Sequence, residues 1–263
     1  MAPSSSGSAG ASSTSFEVRS VGTRSTVDDV ANEIRRAYLT GSLVPGQRFA
    51  VTDLSAQLDV SHIPVREALR RLEAQGLVDL QPGRKAVVAA LTPEEIEDVY
   101  RLWILVCNDA AARACVRYTD TDLSQIEAAL DAFTSLPQDS EEAFEGHHRF
   151  HLELLEPGLT GWDKRLLDIL WMPIERGVRL AFRSVVGPDG RANPQKQAHK
   201  EHLPLLQAAR KRDVGRLQRE LRAHHESHME LVMGALAKLD EDGSAAPSRA
   251  RAKGKAKAKA KRS

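Results

Sequence analysis

Cysteine is nearly absent from this 263-residue chain, Cys107 and Cys115 being the only two. They stand eight residues apart in one stretch of helical periodicity. At about 1.5 Å of rise per residue that is roughly 12 Å, too far to bridge. Free thiols are expected, and with them a reducing, cytoplasmic setting. Long apolar runs are missing too. None is longer than Leu102 to Cys107, which falls far short of the about 20 residues a membrane helix needs, so no membrane partner is expected. The Ser/Gly/Ala-rich stretch Met1 to Ser15 has neither the basic nor the apolar region of a leader, and residues 1–20 read as a disordered segment. An excess of one charge is also lacking: 37 Lys and Arg stand against 36 Asp and Glu, a net of +1. Eight of the basic residues fall between Arg249 and Arg262 with no acid among them, leaving 29 basic and 36 acidic residues elsewhere, a net of −7. A basic coat over the whole surface is thereby excluded, and any affinity for nucleic acid must come from local patches.

Catalytic signatures are missing as well. There is no Gly-rich phosphate loop and no nucleophile elbow, and the run His147-His148-Arg149-Phe150-His151 lacks the central glutamate of a zinc-protease helix. No alternating strand is found between Thr92 and Leu239. Helical periodicity covers 93–117, 121–135, 140–155, 162–184, 194–212 and 213–239, broken at short polar segments. Six helices in this length predict an all-α bundle.

What is present is concentrated first in Thr52 to Gly76. Leu54 and Leu58 give a short helix an apolar stripe. Ser61 is placed to cap a second helix, Pro64 falls in its first turn, and Gly76 stands where a C′ glycine belongs. Val65, Ala68, Leu69 and Leu72 form that helix's inward face, while His62, Arg66 and Arg70 at i, i+4 and i+8 line up outward. Before it comes a helix from Ser25-Thr26 to Gly41, with Val30, Ile34 and Tyr38 inward, and a turn over Leu43 to Arg48. After it, strand-like runs 77–80 and 86–91 flank Gln81-Pro82-Gly83-Arg84-Lys85, a cationic turn. Three helices and a basic hairpin predict a winged helix-turn-helix, whose second motif helix is shaped for a major groove.

The motifs LVPGQRF, VSHIPVREALRRLEAQGLV and QPGRKAVV together resemble the DNA-binding domain of the GntR family of bacterial transcription regulators. The resemblance covers about 65 residues and includes the wing. Ser61-His62-Ile63-Pro64 stands where many members have Ser-Arg-x-Pro, and Arg84-Lys85 where the wing usually has Arg-Gly. The helical half resembles the FCD effector domain of the FadR subfamily, on FHLELLEPG around Phe150, EHLPLLQAARKRD around His202 and a histidine 22 residues later.

Eight of nine histidines follow Gly146. His147 and His151 share a helix face with Phe144 and Leu154; His202 leads a helix with Leu205, Leu206 and Ala209 inward; His224 lies in the stripe of Leu217, Leu221 and Leu231. Three helices bringing imidazoles into one bundle interior are the material of a metal site, and neutral imidazoles suit Zn²⁺, Ni²⁺, Cu²⁺ or Fe²⁺. The resemblance implies the same set. Many members hold a divalent metal through Asp-x-x-x-His and two later histidines; His147 stands in place of the aspartate, followed by His151, His202 and His224, a four-nitrogen set that suits Zn²⁺ or Ni²⁺. His148, His199, His225 and His228 are expected to be solvated or outside the ligand shell, His228 being able to substitute for a ligand. Arg101 is expected to face inward and hold an effector carboxylate by a bidentate fork.

The expected organisation is a disordered 1–20, a winged domain 21–91, an effector and metal-binding domain 92–240 and a disordered basic tail 241–263. The expected function is that of a homodimeric, ligand-responsive regulator, a repressor, on a pseudo-palindromic operator in double-stranded DNA, sensing a small carboxylate effector. Ser61, His62, Arg66, Arg70, Gly83, Arg84 and Lys85 are the expected DNA contacts. The competing expectation is a metal-dependent hydrolase or isomerase with an accessory DNA-binding domain.

Overall fold

The computed structural model describes residues 18–20, 26–44, 46–81, 85–138, 140–185 and 194–241. Gly83, Arg84 and the basic tail lie outside the described residues. The chain divides into two compact units, one ending at Ala89 and the other beginning at Ala90.

In the first unit, α1 (Val27–Leu39) starts at a capping box in which the Thr26 hydroxyl accepts from the Asp29 amide and the Asp29 carboxylate accepts from the Thr26 amide. These bonds hold the Asp29 carboxyl below the usual carboxylate range. α2 (Val51–Leu58) and α3 (His62–Ala74) meet across a turn where Asp59 takes the left-handed conformation, φ 56°. A short polar side chain tolerates this better than a branched one. Val65, Ala68, Leu69 and Leu72 of α3 are buried, and α1 and α2 both pack on α3. At the end of α3, Gly76 (φ 73°) donates to the Glu73 carbonyl and Leu77 to that of Leu72. This paired closure needs a left-handed residue and turns the chain sharply into the sheet.

That sheet has three strands. β1 (Arg48–Ala50), β2 (Val78–Gln81) and β3 (Lys85–Val88) lie in the order β1-β3-β2, all antiparallel. Phe49 pairs with Ala86 on one side of β3 and Leu80 with Ala86 on the other. The expectation of a simple turn over Leu43 to Arg48 is corrected here, since Arg48 opens a strand. Three residues are too few to show an alternating pattern, and their pairing partners lie almost forty positions away.

The second unit is helical: α4 (Pro93–Cys115), α5 (Asp120–Thr134), α6 (Glu141–Leu155), α7 (Gly161–Val185), α8 (Pro194–Arg210) and α9 (Val214–Glu241). Thr92 with Glu95 and Thr119 with Asp122 form capping boxes, and Ser140 caps α6. α4 packs along α9 and α7, α5 along α6 and α8, and α8 along α9. A Cβ on Gly146 would stand 2.6 Å from the Phe133 Cβ, so glycine is what lets α6 approach α5 so closely, one residue before His147. Both cysteines are free and buried in α4, where desolvation raises their thiol pKa values and leaves them unreactive.

Candidate functional site

Each unit presents one candidate site. In the first, α3 exposes His62, Ile63, Arg66, Glu67 and Arg70, off its buried stripe. Arg70 sits 3.5 Å from Glu67, with both side chains largely in solvent. Ser61 occupies the N-cap position, but its side chain makes no capping hydrogen bond. The His62 ring is turned back on α2, its Nδ1 2.9 Å from the Ser55 hydroxyl. Lys85 is exposed at the first position of β3. Sequence reasoning passes over Ile63; the available signal was an apolar residue lying off the buried stripe.

In the second unit, α6, α8 and α9 bring His147, His151, His202 and His224 together, each offering a ring nitrogen within 4.8 Å of the others. The His151 Nε2 lies 3.1 Å from the His147 Nε2 and 3.2 Å from the His224 Nε2. One neutral imidazole nitrogen has either a proton or a single lone pair, so it cannot satisfy both contacts. The His202 Nδ1 is 2.7 Å from the Ala198 carbonyl, which can only accept. The proton therefore sits on Nδ1, and the Nε2 is left as a buried lone pair with no partner. Converging lone pairs, one of them orphaned, suit a cation at their focus. Burial, reinforced by the neighbouring imidazoles, pushes His147, His151 and His224 well below the usual histidine range, and burial takes His202 to about 3. The rings are thus neutral near pH 7, the form that binds metal. The cluster could hold a metal ion, and His147 is the ligand candidate least withdrawn from solvent.

Of the two alternatives expected for His148 and His225, solvated or outside the ligand shell, the second holds: the His148 ring stacks on Trp171 at 4.0 Å, and the His225 Nε2 accepts from the Trp103 indole N–H at 3.1 Å. Burial takes their pKa values to about 4 and about 3. These rings form the wall behind the cluster, with His225 5.3 Å from both His151 and His224. His228 lies 4.2 Å from His224, within the same group of rings. Arg101, expected inward, instead points to solvent beside Asp98 on α4. Helical geometry accounts for this, because Tyr100, Trp103 and Cys107 take the inward face and put residue 101 on the far side.

Residues 26–88 match the description "Bacterial regulatory proteins, gntR family", and residues 98–227 match the FCD domain. An HTH-type transcriptional regulator designated BphR, from Paraburkholderia xenovorans strain LB400, is 27% identical over 217 residues, 80% of this chain and 86% of the relative. A regulator from the TAR-I ttuE-ttuC' intergenic region of Agrobacterium vitis is 33% identical over 125 residues, 47% of this chain and 68% of the relative. Among solved structures, E. coli McbR/YncC aligns with a TM-score of 0.67 at 20% identity, over 80% of this chain and 98% of that one, which is a likeness of fold.

Proposed function

Because the chain belongs to the GntR family, with an FCD domain, and is a DNA-binding transcription regulator and not an enzyme, we propose that it is a cytoplasmic, homodimeric repressor released by a small organic acid. The observation that carries the sensing half of this reading is the imidazole cluster with its orphaned His202 Nε2. Four neutral nitrogens and no carboxylate favour Zn²⁺ or Ni²⁺ over harder ions. Bound there, the ion would supply a Lewis-acidic anchor for a carboxylate. His147, His151, His202 and His224 would hold it, while Trp103, through His225, and Trp171, through His148, support the pocket wall. Arg101 has no part in this pocket. Effector binding shifts DNA affinity only to the extent that the acid favours one arrangement of the protein over another.

On the DNA side, Arg66, with His62 and Arg70 nearby, enters the major groove, Lys85 with Gly83 and Arg84 forms the wing contact, and Ser61 with the first-turn amides of α3 meets phosphate. A bidentate arginine–guanine contact is worth about 1–3 kcal/mol of discrimination. Arg66→Ala is therefore expected to lose roughly tenfold or more of operator preference while staying folded, since Arg66 is off the buried stripe. Gel-shift titration at fixed salt checks this, and binding within twofold of wild type would remove Arg66 from the readout.

The homodimer is supported by an apolar face. Leu102 and Leu105 on α4 and Trp162, Leu166 and Ile169 on α7 are exposed, Leu105 by 55% and Trp162 by 76%. The two helices pack together and are joined by an Arg113–Asp163 ion pair at 2.9 Å. α4 is acidic at its start (Glu94, Asp98) and has Arg113 in its last turn, with Arg117 just beyond its end. A second copy related by a two-fold axis across α4 runs antiparallel, setting acidic ends against basic ones. Leu105→Glu is expected to halve the mass found by light scattering at micromolar concentration and to weaken operator binding. A dimer of unchanged stability would move the interface elsewhere.

A further inference from the structure

Ile63 is 79% exposed, more than any other large hydrophobic side chain among the described residues. It stands in the first turn of α3, where Val65, Ala68, Leu69 and Leu72 mark the inward face. At roughly 100° per residue it falls almost diametrically opposite them, on the line through Glu67, Arg70 and Ala74. A side chain held outward there adds nothing to the core. Its neighbour His62 is folded back on the Ser55 hydroxyl, and Ser61 makes no cap, so Ile63 is the foremost bulky group at the tip of the helix. Branching at Cβ restricts its rotamers, and a rigid knob loses little freedom on contact.

The first turn of a helix seated in a major groove is the part that meets base edges. The groove presents one apolar group, the C5-methyl of thymine; the other base-edge groups there are hydrogen-bond donors or acceptors. We propose that Ile63 reads a thymine methyl in each half-site, separately from the guanine assigned to Arg66. The proposal rests on α3 being the helix that enters the groove.

The test uses the full-length protein. Sites are first selected from a random duplex library by wild type and by Ile63→Ala. A thymine is expected at symmetric positions in the two half-sites selected by wild type, and relaxed in those selected by the variant. Each selected thymine is then replaced by deoxyuridine, which removes the methyl and leaves the pairing and hydrogen-bonding edges intact. Losing one buried methyl is expected to weaken wild-type binding about fourfold per half-site, or roughly fifteenfold when both are changed. The Ile63→Ala protein is expected to bind thymine and uracil duplexes alike, giving a closed double-mutant cycle with strong coupling. Wild-type binding that is indifferent to deoxyuridine at every selected thymine, or a variant that loses as much as wild type, overturns the proposal while leaving α3 as the reading helix. Failure of wild type to select any sequence overturns both.

Discussion

Loaded with Zn²⁺ and dialysed, the wild-type protein is expected to retain about one ion per chain, and His202→Ala to retain far less. His202 is the most telling ligand to remove, because its Nδ1 is already committed to the Ala198 carbonyl and only its Nε2 faces the cluster. An ion that binds the folded state alone adds RT ln(1 + [L]/Kd), about 2.7 kcal/mol at a hundredfold excess over Kd. The informative quantity is the difference in unfolding free energy with and without metal, since truncating a buried ring also leaves a cavity whatever else it did. That difference is expected to collapse in His151→Ala, His202→Ala and His224→Ala, and to persist in His199→Ala, a partly exposed position on the same helix as His202. His225→Ala is no control, because it would strip the buried Trp103 indole N–H of its acceptor. Elemental analysis decides the matter: wild-type metal content in all three ligand variants would make the cluster a packed core of imidazoles.

Acid is expected to destabilise the metal-free protein steeply below pH 6.5. In the unfolded chain a histidine takes up its proton near pH 6.5. In the folded protein His148 and His228 resist until about 4, and His202 and His225 until about 3. Across that interval the unfolded state binds more protons, so stability is fully present above pH 6.5 and is lost as pH falls toward the folded values. Each such proton contributes about 1.4 kcal/mol per pH unit, and two or three acting together would consume most of a typical domain's stability within two units. The capping carboxylates Asp29, Asp122 and Asp163 have lowered pKa values and so lose their contribution only below the ordinary carboxylate range, which leaves the decline above pH 5 to the imidazoles. Denaturant unfolding in chelator at pH 7.5, 6.5 and 5.5 measures it. A flat profile would mean that the rings are hydrated and protonate in place.

Much of the architecture was written locally. Helix starts are encoded by Thr92-Pro93-Glu94-Glu95 and Ser140, whose side-chain oxygens satisfy amides three residues on, and the helix faces by apolar spacing that any reader of 3.6-residue periodicity recovers. The inward direction of His147, His151, His202 and His224 belongs to the same kind of information, because each shares a stripe with buried neighbours on its own helix. Tertiary structure alone decided the rest. β1 exists only because Arg48–Ala50 pairs with Lys85–Val87, and no local pattern in three residues announces a partner that far along the chain. Arg101 lies one residue past the inward Tyr100, and that offset of a third of a turn was enough to send its charge to solvent. The burial of His148 and His225 depends on where α7 delivers Trp171 and α4 delivers Trp103, two rings distant in sequence whose faces and N–H set the imidazoles' environment. Periodicity assigns a residue to one face of its own helix, but what that face meets is fixed by the packing of several helices at once, and there the chemistry of a ring nitrogen is decided.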